Sequence, residues 1–214
     1  MRTEDKALMT RGIKALGLDM DDFQIGRLES FLDEIEKWNP AYGLVKAQRS
    51  ELVIKHVLDC LAAVPFIQKH EGEIADLGSG AGLPGIVLAI AMPDRKVFLI
   101  ERMQRRVGFL RNALAVTGLV DRVSIIDRDI KEIGRTFSNI TFRAFHPLSD
   151  IMGPLCRLTS EGSAVFAYKG DPLAVKAELE QCSLDLFKAR IELLRVPFLD
   201  ASRCLLILDR NELG

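Results

Sequence analysis

Apolar and polar residues repeat along this chain with two different rhythms, and the change falls near Gly72. Before it the rhythm is helical. Residues 3–16 read as a short polar helix that Gly17 ends, and Asp19, Asp21 and Asp22 supply start signals for the next. There Leu28, Phe31, Leu32, Ile35 and Trp38 form one apolar stripe, which Asn39-Pro40 is expected to stop. A loop over 41–49 follows. Ser50 is the expected N-cap of a third helix whose buried face is Val53, Val57, Leu61 and Val64. After Gly72, short apolar runs alternate with helical stretches. The runs predict strands over 73–78, 96–101, 122–127, 139–144, 163–169, 188–196 and 203–210. Helices are predicted over 83–91, 103–117, 147–158 and 171–182. This alternation predicts an α/β fold, a mostly parallel seven-stranded sheet covered on both faces. No helix separates the last two strands, so they should form a hairpin with one strand antiparallel. Residues 1–64 form an N-terminal helical extension and 65–214 the main domain, expected to pack as one structural unit.

Composition narrows the class. The 214 residues are 48% apolar and 28% charged, enough to bury a real core. A net charge of −1 gives no overall attraction to nucleic acid, so any such role must rest on local patches. Cys60, Cys156, Cys182 and Cys204 are scattered without C-x-x-C spacing and read as core residues in a reducing cytoplasm. No apolar run approaches membrane-spanning length, and no metal cluster is visible. The expectation is a cytoplasmic protein.

The chemistry concentrates at Asp76-Leu77-Gly78-Ser79-Gly80-Ala81-Gly82-Leu83-Pro84-Gly85, between a predicted strand and a predicted helix. Glycines there let a cofactor approach bare backbone N–H groups. The part from Gly80 to Gly85 matches the dinucleotide pattern G-x-G-x-x-G, which alone is a weak signal. Asp76 ahead of Gly78, Gly80 and Gly82 shifts the balance. A carboxylate at the mouth of the site would repel a pyrophosphate, but would suit the ammonium and sulfonium of S-adenosylmethionine. The reading therefore favours S-adenosylmethionine over NAD. Glu101 ends the next strand, where an acid can accept from both ribose hydroxyls, and would serve either cofactor.

Ligands in open parallel sheets sit at the carboxyl ends of the strands. The third strand brings Asp127, Arg128, Asp129 and Ile130 there, where an acid and a backbone N–H could hold an adenine. Asp129 could equally be an N-cap. The fourth brings Arg143, Ala144 and Phe145, and the fifth Tyr168, Lys169 and Gly170. Arg102, Arg105, Arg106 and Arg111 start at the cofactor edge. They read as a solvated face or as a phosphate-contacting patch. His56 and Asp59 share one helix face, a spacing more often structural than catalytic.

These motifs resemble the bacterial family that methylates guanine N7 in small-subunit ribosomal RNA, also called glucose-inhibited division protein B. The resemblance runs from about Phe31 to Gly170. It rests on Lys55-His56-Val57-Leu58-Asp59, the glycine run with Leu83-Pro84-Gly85, Arg105-Arg106-Val107-Gly108-Phe109-Leu110, Arg143-Ala144-Phe145 and Lys169-Gly170. The chain departs from the family pattern at Asn39-Pro40-Ala41, Arg105, Gly108 and Phe142. The resemblance implies a Rossmann-like class I methyltransferase using S-adenosylmethionine, with 16S rRNA of the small subunit or its precursor as partner; the protein is expected to be a monomer. It implies cofactor contacts at Gly78, Leu83, Asp129, Ile130 and Arg143. Guanine N7 bears a lone pair and no proton at neutral pH, so no general base is expected. Arg143 is expected to shape the reactive end of the site, and Lys169 with the helix arginines to grip RNA phosphates.

Overall fold

The computed structural model describes residues 3–211. Two helices come first, α1 (Thr3–Ala15) and α2 (Asp22–Tyr42). The third, α3, covers 49–61, with a π-helical stretch at Leu52–Leu58 between α-helical ends, and a short α4 (Val64–Ile67) follows. Then come β1 (Ile74–Leu77), α5 (Gly85–Ala91), β2 (Val97–Ile100), α6 (Gln104–Val116) and β3 (Val123–Ile126). The second half contributes β4 (Asn139–Arg143), α7 (Leu148–Leu158), β5 (Ala164–Lys169), α8 (Pro172–Leu179), β6 (Phe187–Leu193) and β7 (Cys204–Arg210).

The strands form one seven-stranded sheet in the order β3-β2-β1-β4-β5-β7-β6. Pairing is parallel from β3 to β5, and β7 runs antiparallel between β5 and β6. The expected seven strands, helical extension and antiparallel end are all present. The strand order reverses between β1 and β4, which opens a crevice above their carboxyl ends.

Side chains alternate across the sheet, so each strand feeds both layers. On β5, Phe166 and Tyr168 face the layer holding α1, α2, α3, α5 and α6, while Val165 and Ala167 face the layer with α7 and α8. The N-terminal helices are thus part of one face's core. Gly12 of α1 lies so close to Leu58 that a Cβ would stand 2.3 Å from its Cδ1. Buried polar groups add direction: Gln24 donates to the Ile90 carbonyl at 2.8 Å, and Glu34 accepts from Trp38 Nε1 at 2.9 Å and from Asn112.

Several helix boundaries differ from expectation: α3 ends at Leu61, so Val64 opens the separate α4, and α8 ends at Leu179 rather than at 182. α2 does not stop at Asn39-Pro40 but runs through Pro40 to a left-handed Gly43, whose N–H donates to the Asn39 carbonyl. Pro40 lies in the last turn. The Asn39 side chain brackets the exit by accepting from Val45 N–H at 2.9 Å and donating to its carbonyl at 2.5 Å. Ser50 does not cap α3, which begins one residue earlier. Gln48 precedes it, and its N–H donates to Glu51 at 3.1 Å in a capping-box arrangement.

Candidate functional site

The glycine turn crosses the top of β1. Gly78, Gly80 and Gly82 have φ of 66°, 54° and 78°, a left-handed series that glycine adopts without a Cβ penalty. Asp76 lies beneath it rather than at the mouth, only 1% exposed. One carboxylate oxygen accepts the Gly85 N–H at 3.0 Å at the start of α5, and the other has no partner. Burial pushes this carboxyl up to about 7, against the pull of the Gly85 N–H, the neighbouring Ser79 hydroxyl and the Arg143 charge. Gly85 is as tightly placed, since a Cβ there would meet Leu99 at 2.4 Å and Asp76 Oδ2 at 2.6 Å.

Glu101, 4% exposed, ends β2 and folds back under the turn. It accepts from Gly80 N–H at 3.0 Å and Met103 N–H at 2.8 Å, and Arg106 stands 3.7 Å away. Beside it opens a cavity of about 440 Å³ whose walls include Gly78, Glu101, Arg106, Asp129, Ile130 and Phe145. Asp129 caps the short turn after β3 by accepting the Lys131 N–H at 3.0 Å, and its other oxygen meets Arg102 at 3.3 Å. The N-cap reading of Asp129 is therefore present, at a position that also lines the cavity. Asp127 points to Gln104 and Arg111 and does not line the cavity. Gly80, Gly82 and Leu83 shape the turn without lining the cavity, and Leu83 is 6% exposed.

A second cavity, about 640 Å³, opens at the ends of β4 and β5. It shares Ala144, Phe145 and His146 with the first. Ala144 has φ 48°, a left-handed conformation that costs an L-residue about 1–2 kcal/mol. It turns the Phe145 ring onto bare Gly78, where a Cβ would sit 2.1 Å from the ring. In the second cavity Arg143 is held from three sides: by the Lys55 carbonyl at 3.2 Å, Asp59 at 3.1 Å and His56 Nδ1 at 2.6 Å. Asp59 also pairs with Arg203 at 3.3 Å. Tyr168 donates to the Cys60 carbonyl at 2.8 Å, and Lys169 pairs with Glu178 at 2.5 Å.

The expected phosphate-gripping row is only partly present. Arg105 donates to the Ala41 carbonyl and lies 4.8 Å over the Tyr42 ring, so it ties α6 to α2. Arg106 turns inward to Glu101, and Lys169 to Glu178, because each has a carboxylate within reach. Arg102, paired with Asp129 at 3.3 Å, keeps 72% of its side chain exposed. Sequence reasoning missed Arg203 and Glu178, which reach the site from the β6–β7 hairpin and from α8. No local motif marks either.

The donors present fit the expected S-adenosylmethionine. Gly78, Glu101, Asp129 and Ile130 of the expected cofactor set line the smaller cavity together, whereas Asp76 lines neither cavity and keeps one buried oxygen without a hydrogen-bond partner among the described residues. Among the described residues no group of three or more metal-ligating side chains occurs.

The fold is shared widely. An S-adenosylmethionine-dependent O-methyltransferase from Thermotoga maritima superposes with a TM-score of 0.58 at 19% identity, over 86% of this chain and 72% of its own. Magnesium protoporphyrin IX methyltransferase from Synechocystis, solved with bound S-adenosylmethionine, gives 0.57 at 15% identity over 89% and 98%. Sequence relatives are nearer. The "Ribosomal RNA small subunit methyltransferase G" of Neisseria gonorrhoeae is 31% identical over 210 residues, 97% of this chain and all of that protein. Its counterpart from a Psychrobacter species is 32% identical over 203 residues, 92% and 87% of the two chains. The model of the rRNA small subunit methyltransferase G family matches residues 24–207, which takes in both cavities and the sheet as far as the middle of β7, and the chain belongs to that family.

Proposed function

We propose that the protein transfers a methyl group from S-adenosylmethionine to N7 of one guanine in 16S rRNA, within the small ribosomal subunit or its precursor. The observation that carries this reading is the meeting of two cavities at Ala144–His146, with cofactor-type groups on one side and Arg143 on the other. In this account Gly78, Glu101, Asp129 and Ile130 line the adenosine seat. Asp76, Gly80, Gly82 and Leu83 hold the turn, and Asp76 takes the ammonium end. The bound cofactor supplies an activated methyl on a sulfonium.

The remaining work is positional. N7 needs no base, because its lone pair is free at neutral pH. The protein must hold N7 about 3–3.5 Å from the methyl carbon and in line with sulfur. Arg143, fixed by Lys55, His56 and Asp59, forms the wall at the reactive end. Arg102 faces the RNA, Lys169 lines the larger cavity beside Glu178, and the target guanine leaves its stack to enter that cavity. Residues 1–64 serve as an extension of the methyltransferase unit 65–214, and the protein works as a cytoplasmic monomer. No helix among the described residues is long and apolar enough to cross a membrane. The test is binding of S-adenosylmethionine against NAD, followed by transfer of labelled methyl to unmethylated small subunits. Preference for NAD, or cofactor binding without transfer to RNA, would overturn the proposal.

A further inference from the structure

The charged groups of the larger cavity are paired: Asp59 with Arg143 and Arg203, Lys169 with Glu178, and Lys55 with Glu51 beside the cavity. His56 is different. Its Nδ1 lies 2.6 Å from a terminal nitrogen of Arg143. A guanidinium only donates, so Nδ1 must carry a lone pair, and the neutral ring's proton then sits on Nε2. Burial first, and the Arg143 charge second, push the imidazole down to about 4, which keeps it neutral at working pH. Among the described residues Nε2 has no hydrogen-bond partner, and the half-buried ring lines the cavity. The wall therefore presents one oriented, neutral N–H donor.

We infer that His56 donates from Nε2 to O6 of the target guanine, and that this bond selects guanine and turns its N7 toward the cofactor. The inference rests on the larger cavity being the seat of the methylated base. O6 and N7 share one edge of guanine, both acceptors, whereas adenine presents an amino group in place of O6. A donor fixed on the wall would meet that amino group donor to donor. Neutrality also suits the reaction, because N7 methylation leaves positive charge on the purine and a cationic donor would oppose it. Asp59, shared with Arg203, offsets part of the Arg143 charge. His56 is thus a substrate-positioning residue whose tautomer is set by Arg143.

The two ring nitrogens can be separated by substitution. His56→Asn keeps an acceptor where Nδ1 meets Arg143 and removes the Nε2 donor. His56→Gln reaches the Nε2 position with an amide N–H. The substrate pair is small subunits reconstituted with guanine or 2-aminopurine at the methylated position; 2-aminopurine keeps N7 and lacks O6. For the wild-type protein, 2-aminopurine should lower kcat/KM about 10- to 100-fold, the range for one lost directional hydrogen bond. His56→Asn should lower kcat/KM on guanine by a similar factor, with S-adenosylmethionine affinity within about twofold. It should lose nothing further on 2-aminopurine, while His56→Gln recovers part of the guanine rate. If His56→Asn discriminates guanine from 2-aminopurine as strongly as the wild type, the contact to O6 is refuted. A loss of cofactor affinity matching the loss of rate would likewise refute it, leaving His56 as support for Arg143. If the wild-type protein places no methyl on guanine N7 at all, the cavity reading fails first, and this inference with it.

Discussion

Asp76→Asn should make the cofactor-free protein more stable at pH 8 and a poorer binder of its cofactor. Asp76 is buried with one oxygen unpartnered, and its folded pKa is raised from 3.8 to about 7. A raised folded pKa means that the folded state binds more protons between those values. Stability from this group is therefore complete below pH 3.8 and is lost as pH rises through 7. Each pH unit of displacement is worth about 1.4 kcal/mol, so the cost above pH 7 is about 4 kcal/mol as an upper bound. Asparagine carries no charge. Its carbonyl keeps the Gly85 N–H, and its amide sits unpartnered at a cost of about 1–3 kcal/mol. Urea unfolding should show a net gain of about 1–3 kcal/mol at pH 8, turning to a loss near pH 4. Calorimetry with S-adenosylmethionine should show about 10- to 100-fold weaker binding, from loss of a charge-assisted bond to the ammonium. The wild-type affinity should itself fall toward about tenfold per pH unit below 7, as Asp76 protonates in the free protein. A stability difference that does not change with pH, or unchanged affinity in Asp76→Asn, would refute this reasoning.

Further outcomes follow from the same geometry. Gly78→Ala forces φ +66° on an L-residue and drives a methyl to 2.1 Å from Phe145, so cofactor affinity should fall at least about tenfold while the fold persists. Calorimetry checks it. Arg143→Ala should cut methyl transfer by at least about a hundredfold, read as label incorporated under single turnover; full turnover would remove Arg143 from the site. Asp59→Asn strips the shared carboxylate from two arginines and should cost about 3 kcal/mol in urea unfolding, the lower end for a broken buried pair because Arg203 is part-exposed.

The sheet was legible because its signals are local and mutually consistent. β1, β2, β5 and β7 show as short runs rich in apolar residues and β6 as an alternation of apolar and charged ones, and the short connection after β6 announced the antiparallel β7. Asp76, the glycines and Glu101 were legible for the same reason, since strand, turn and helix follow one another in the chain. The misplacements came where side chains override backbone habit. Asn39 brackets the exit of α2 and lets the helix pass Pro40, and Glu51 caps through Gln48 rather than Ser50. The larger cavity was less legible still. Arg143 meets His56 and Asp59 across more than eighty residues of sequence, and Arg203 joins from the far hairpin. The arginines after Glu101 show the converse. Their spacing suggested a free cationic row, but Tyr42 and Glu101 claim two of them once the chain folds.

The most direct test of the account is to incubate the protein with methyl-labelled S-adenosylmethionine and small ribosomal subunits from cells lacking the activity, then map the label on the RNA. The account predicts label at N7 of one guanine of 16S rRNA. Tight cofactor binding with no label in RNA, or label confined to atoms other than guanine N7, would contradict it.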